Sequence, residues 1–246
     1  MTVHPETARN ARPYLTGQET EAIADALAVG QFGHGPATEQ FEHALAQFLG
    51  VRDVVTVSSC TDALKIALLV AGVRPGDEVL VPSQTFCATV QAVLTVGASP
   101  RFVDIDPDTQ CVTARTVQDA LTARTRVLLP VLYGGRAVDL TALADVLTER
   151  GIAVVEDAAH AFGSFQGEQP VGTTGVLTCF SFGPIKNLTC IEGGALVPRT
   201  PEDAQAARRL RTLGIGQTQV DRIRTTTYTV HSTGFRATLS AVHAAV

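Results

Sequence analysis

No basic stripe runs along this chain, and its formal net charge is −5 with a sequence pI near 5.7. A nucleic-acid partner is not expected, because holding a phosphate backbone takes a concentrated positive footprint. Long apolar runs are missing as well: the longest, around Ala63–Val73, is too short to span a bilayer and carries Lys65. The stretch MTVHPETARNARPYL lacks the apolar centre of a secretory signal, so a cytoplasmic protein with no membrane partner is expected. There is no CxxC pair. Cys60, Cys87, Cys111, Cys179 and Cys190 therefore read as reduced residues of the core or of a site's surroundings, and neither a disulfide framework nor a metal centre is expected. No short-period repeat or low-complexity segment is visible.

What the 246 residues do hold is 45% hydrophobic and 17% charged, enough for one α/β domain or for one domain and part of another. Thr16-Gly-Gln-Glu19 reads as a capping box before a helix that runs to Gly30. QFGHGP (Gln31–Pro36) is a turn, and Phe41, Leu45, Phe48 and Leu49 line one face of a second helix closed by Gly50. From there, short β-branched runs alternate with helical patterns. Strands are predicted at Val54–Val57, Val79–Val81, Arg101–Asp104, Val127–Leu132, Ile152–Val155 and Gly175–Phe180, with another beginning at Gly194. That alternation predicts the α/β class with a mainly parallel, doubly wound sheet.

Ligands of such sheets lie beyond the carboxyl ends of the strands, and the informative polar residues cluster there. Asp157 ends one apolar run, and the loop after the next carries Ser181 and Lys186. A carboxylate and an amine facing one crevice suit pyridoxal phosphate: the amine condenses with the aldehyde, and the carboxylate keeps the pyridine nitrogen protonated. Taken singly, Lys186 reads as a solvated loop lysine and Asp157 as a helix cap. Upstream, the turn Ser58-Ser-Cys-Thr-Asp62 leads from a strand into a helix, which makes an anion site from free amides and the helix dipole. Ser59, Thr61 and Asp62 are its phosphate-end candidates, against the plainer reading of an N-cap. Phe86, just past a strand end, offers a face for a flat ring or simply a core contact.

In order and spacing, GQFGHGPATEQFE, VSSCTDALKIAL, GVRPGDEVLVPSQTFCAT, FVDIDPDT, VVEDAAHAFGS, FSFGPIK, EGGALV and GFRATLSAVHAA resemble the DegT/StrS-type sugar aminotransferases, a branch of the fold type I pyridoxal-phosphate enzymes. The resemblance runs from Arg12 to the end. It implies that Lys186 is the Schiff-base lysine, that Asp157 partners the pyridinium, and that His160 contacts the ring's hydroxyl edge. It also implies that Phe86 stacks on the ring and that Thr61, Asp62 and Ser181 lie at the phosphate end. Arg236 falls where many members carry an asparagine that reaches a neighbouring subunit's cofactor phosphate. The implied activity is amination of a nucleotide-linked ketosugar by a homodimer, with glutamate or glutamine as donor. Cyclitol acceptors, dehydration, or a truncated homologue without turnover are the alternatives; relatives that dehydrate carry histidine where Lys186 stands. The expected layout is a helical segment at 1–30, a large cofactor-binding α/β domain at 31–230, and at 231–246 the start of a C-terminal domain that stops inside a helical pattern.

Overall fold

The computed structural model describes residues 13–30, 32–217 and 219–246. The expected N-terminal segment thus lies partly outside the described residues, as does Gln31 of the QFGHGP turn. In chain order the elements are α1 (Glu19–Val29), α2 (Pro36–Leu49), β1 (Val55–Val57), α3 (Cys60–Val70), β2 (Glu78–Pro82), α4 (Cys87–Thr95), β3 (Ser99–Val103), α5 (Ala114–Ala120), β4 (Thr125–Leu128), α6 (Ala144–Glu149) and β5 (Ala153–Asp157). They continue with a small hairpin, β6 (Phe165–Gln166) and β7 (Gln169–Pro170), then β8 (Leu177–Ser181), β9 (Gly194–Val197), α7 (Pro201–Arg211), α8 (Gln219–Thr225) and α9 (Ala241–Ala245).

Seven strands join in one sheet in the order β1-β9-β8-β5-β4-β2-β3. β2, β3, β4, β5 and β8 pair in parallel, as the alternating pattern predicts, whereas β9 runs antiparallel to both β8 and β1. A parallel return needs a crossover helix, and the loop between Ser181 and Gly194 contains none, so the chain turns back beside the strand it has just left. The expected capping box before α1 also takes another form. Glu19 accepts the N–H groups of Thr16 (2.6 Å) and Gly17 (2.8 Å), while Gln18 occupies the capping position.

The sheet separates two cores because successive strand residues point to opposite faces. On β2, Val79 and Val81 join α3 (Leu64, Ile66, Leu68), α4 (Ala92, Val93) and Ala207 of α7. Leu80 joins α2 (Leu45, Leu49), Val117 and Leu147 on the other face. Phe180 and Phe182 are fully buried there, edge-on to Phe162 at 5.3 and 5.5 Å, and each such side chain contributes about 1.5–3 kcal/mol by leaving water. These aromatic contacts fix the root of the loop that follows β8. No helix among the described residues is long and apolar enough to cross a membrane.

Candidate active site

Four strand ends converge on the site, each delivering a different group. β5 delivers Asp157, which is 5% exposed. One carboxylate oxygen accepts the Thr89 hydroxyl at 2.7 Å and the other accepts the Ala159 N–H at 3.2 Å. Burial pushes the Asp157 carboxyl above its ordinary value, while the two hydrogen bonds and the charges of His160 and Lys186 pull it back. The preceding Glu156 points to the opposite face, where the Thr178 hydroxyl donates to it at 2.8 Å, and takes no part in the site.

One turn beyond Asp157, His160 stands against a tight turn at Tyr133–Gly135. The Gly134 N–H donates to its Nδ1 at 3.4 Å, and the Tyr133 ring lies edge-on at 5.8 Å. Partial desolvation, reinforced by the Lys186 charge, lowers the imidazole pKa against an opposing pull from Asp157. A neutral ring that accepts at Nδ1 carries its proton on Nε2. Gly135 makes this approach possible: at φ +85°, a β-carbon there would lie 3.0 Å from the His160 carbonyl oxygen.

The loop after β8 carries Lys186, whose N–H donates to the Gly183 carbonyl at 3.1 Å. Phe182 pins the loop at both ends, donating to the Gly193 carbonyl and accepting the Cys190 N–H. The Asn187 amide donates to the Phe162 carbonyl at 3.2 Å. Lys186, His160, Ser164 and Gly134 line one cavity of about 290 Å³. The structure therefore brings together the amine, the imidazole and, through its electrostatic reach, the carboxylate singled out in the sequence.

At the far end of the sheet the Ser58–Asp62 turn opens α3. Ser59 caps the helix, its hydroxyl accepting the Asp62 N–H at 3.1 Å. Among the described residues no acceptor takes the Cys60 or Thr61 N–H, so both amides remain available to an anion. Asp62 is committed locally, since its carboxylate accepts the Ser58 hydroxyl and pairs with Lys65 at 2.5 Å. The turn is pressed onto β9 at Gly194, where a β-carbon would lie 2.5 Å from the Cys60 nitrogen. Ser181, half-buried at the end of β8, is paired in register with that same glycine.

Phe86 immediately precedes α4 and is 74% exposed, so its ring face is free. Arg236 is exposed and lines a different cavity, of about 1080 Å³, together with Arg209 and Arg222. Its neighbour Ala237 nonetheless accepts the Ser58 N–H, which ties this stretch to the Ser58–Asp62 turn. The sequence reading missed Thr89. It lies one helical turn past Phe86, and that spacing was the only available sign of it.

The donor set fits pyridoxal phosphate: an amine within electrostatic reach of a buried carboxylate, a neutral imidazole, an open aromatic face, and free amides at the start of an 11-residue helix. A sequence model of the DegT/DnrJ/EryC1/StrS aminotransferase family matches residues 13–246. Among solved structures, the chain is similar to the aminotransferase TlmJ from Streptoalloteichus hindustanus, at 37% identity and a TM-score of 0.88 over 96% of this chain and 63% of that one. It is similar to the sugar aminotransferase CalS13 from Micromonospora echinospora, at 31% identity and 0.89 over 96% and 66%. Spr1654 from Streptococcus pneumoniae, in its PLP form, matches at 28% identity and 0.86 over 96% and 64%. This chain thus spans 63% of the length of TlmJ.

Proposed function

Because the chain belongs to the DegT/DnrJ/EryC1/StrS aminotransferase family, we propose that it is a pyridoxal-phosphate-dependent sugar aminotransferase converting a keto group of a nucleotide-linked sugar to an amine. Glutamate or glutamine is the proposed donor, and a homodimer the proposed assembly. The observation that carries the reading is the convergence of Asp157, His160 and Lys186 at the carboxyl ends of β5 and β8. The PLP form of Spr1654 supports the choice of cofactor.

When bound, the cofactor supplies an electron sink through its protonated ring. Lys186 holds it covalently through Nζ. Asp157 keeps a proton on the pyridine nitrogen, and burial strengthens that pairing by excluding water. The Nε2–H of His160 donates to the ring's hydroxyl edge. Phe86 covers one ring face, while the Cys60 and Thr61 amides, the capping turn around Ser59 and Asp62, and the Thr61 and Ser181 hydroxyls hold the phosphate. The Lys186 amine would also serve as base and acid at the substrate carbon bearing nitrogen. Arg236 is the proposed contact to the neighbouring subunit's phosphate, a role for which a guanidinium is well formed.

The test is a visible spectrum of the protein with pyridoxal phosphate, followed by glutamate or glutamine. An absorbance band that appears with cofactor and shifts with donor is expected. A cofactor spectrum indistinguishable from that of free pyridoxal phosphate would overturn the reading.

A further inference from the structure

We propose that Thr85 and Thr89 form a directional hydrogen-bond relay that holds Asp157 as an oriented, ionised acceptor, which makes Thr89 a positioning residue of the site. The inference rests on the reading of Asp157 as the pyridine-nitrogen partner. Its geometry, however, belongs to the protein alone.

Thr89 is fully buried in the first turns of α4, and its hydroxyl oxygen lies 2.7 Å from a carboxylate oxygen of Asp157. The Thr85 hydroxyl lies 2.7 Å from that same Thr89 oxygen. A hydroxyl has one proton to give, so the direction of this chain depends on the charge of its last member. With Asp157 ionised, Thr85 donates to Thr89 and Thr89 donates to the carboxylate, and both bonds are short. With Asp157 protonated on that oxygen, the Thr89 proton loses this acceptor, and keeping both short contacts reverses the chain. Thr89 then donates back to Thr85, whose proton is left with the Phe86 carbonyl at 3.4 Å, a much poorer bond. The relay therefore favours the ionised form and opposes the effect of burial. The second carboxylate oxygen, fixed by the Ala159 N–H, leaves the group little rotational freedom.

The same helix turn ties this device to the ring site. Phe86 caps the helix that Thr89 enters, so the exposed aromatic and the carboxylate are set by one rigid element. The titratable groups facing Asp157 are His160, Lys186 and the thiols of Cys60 and Cys179. Cys179 is buried and Cys60 half-buried, and desolvation raises both thiols far above any carboxylate, so they add no competing transition.

The test compares wild type with Thr89→Val, Thr89→Ser, Thr85→Val and Asp157→Asn. In cofactor-free protein labelled with ¹³C at aspartate carboxyls, the Asp157 signal is assigned by its loss in Asp157→Asn and followed against pH. Its midpoint is expected to move up in Thr89→Val, by a smaller amount in Thr85→Val, and to stay near wild type in Thr89→Ser. Pyridoxal-phosphate affinity should fall about tenfold in Thr89→Val and stay within about twofold in Thr89→Ser, in line with loss of one hydrogen bond to a charged group. An unmoved midpoint in Thr89→Val would overturn the relay, whether or not the cofactor binds. If that variant does not fold, Thr85→Val, at a half-buried position, decides the same question: an unmoved midpoint there overturns the relay. A midpoint that moves as expected in a protein that never binds pyridoxal phosphate would uphold the relay and overturn the cofactor reading.

Discussion

At the scale of single residues, the site depends on a charge placed where burial opposes it. Asp157 is buried, and its carboxyl is raised above the ordinary 3.8 despite two hydrogen bonds and the nearby Lys186 charge. In the proposed role, a carboxylate that partners a protonated ring nitrogen must itself be ionised, so protons would compete with the cofactor in the free protein. Cofactor affinity is therefore expected to weaken as pH falls through the raised Asp157 value, at a pH higher than an exposed aspartate would set. Asp157→Asn should bind more weakly at neutral pH and lose this component of the pH dependence. Equilibrium titration of both proteins with pyridoxal phosphate across the acid range checks it, and identical profiles would remove Asp157 from the site. His160 shows the complementary case, a ring kept neutral so that it can donate from Nε2.

At the scale of elements, one buried ion pair locks three of them together. Glu42 of α2 accepts the Arg211 guanidinium of α7 at 2.6 Å and both the N–H and the hydroxyl of Thr56 of β1 at 2.9 Å. Burial alone would raise the Glu42 carboxyl, but the His34 ring, the Arg211 charge and the Thr56 N–H hold it down at about 2, against 4.5 for the free group. A depressed carboxylate stabilises the fold above the unfolded value and ceases to do so as pH falls through the folded one. This contribution is therefore complete above about 4.5 and lost progressively toward about 2. Glu42→Gln would leave Arg211, 4% exposed, without a counter-charge, and should destabilise the chain by about 3 kcal/mol at neutral pH. Denaturant unfolding measures this, and the gap between variant and wild type should shrink in acid. Since β1 leads directly into the Ser58–Asp62 turn, the same lock holds the root of that turn, the proposed phosphate end.

At the scale of the whole molecule, the alternation of β-branched runs with helical periods made the parallel sheet and its two faces readable in advance, and the first two helices end at the expected Gly30 and Gly50. What the pattern could not show was the direction of β9, because Gly194–Val197 reads the same whether it runs with or against its neighbours. The hairpin at Phe165–Pro170 and the seven-residue helix at Gln219–Thr225 were too short to leave a period. Lys186, Asp157, Phe86 and the Ser58–Asp62 turn were legible as candidates because each follows a strand. Thr89 was not, since its partner lies 68 residues away and only the packed fold brings them within 2.7 Å. Asp62 was read from residue type as a phosphate-end group, while the fold engages its carboxylate with Ser58 and Lys65. Incubation of the protein with pyridoxal phosphate, borohydride reduction and mass mapping of the labelled peptide decide whether these strand ends assemble one covalent cofactor site. A single reduced cofactor adduct on Lys186, absent from Lys186→Ala, is expected; label on Lys65, or on no lysine at all, would exclude the assignment.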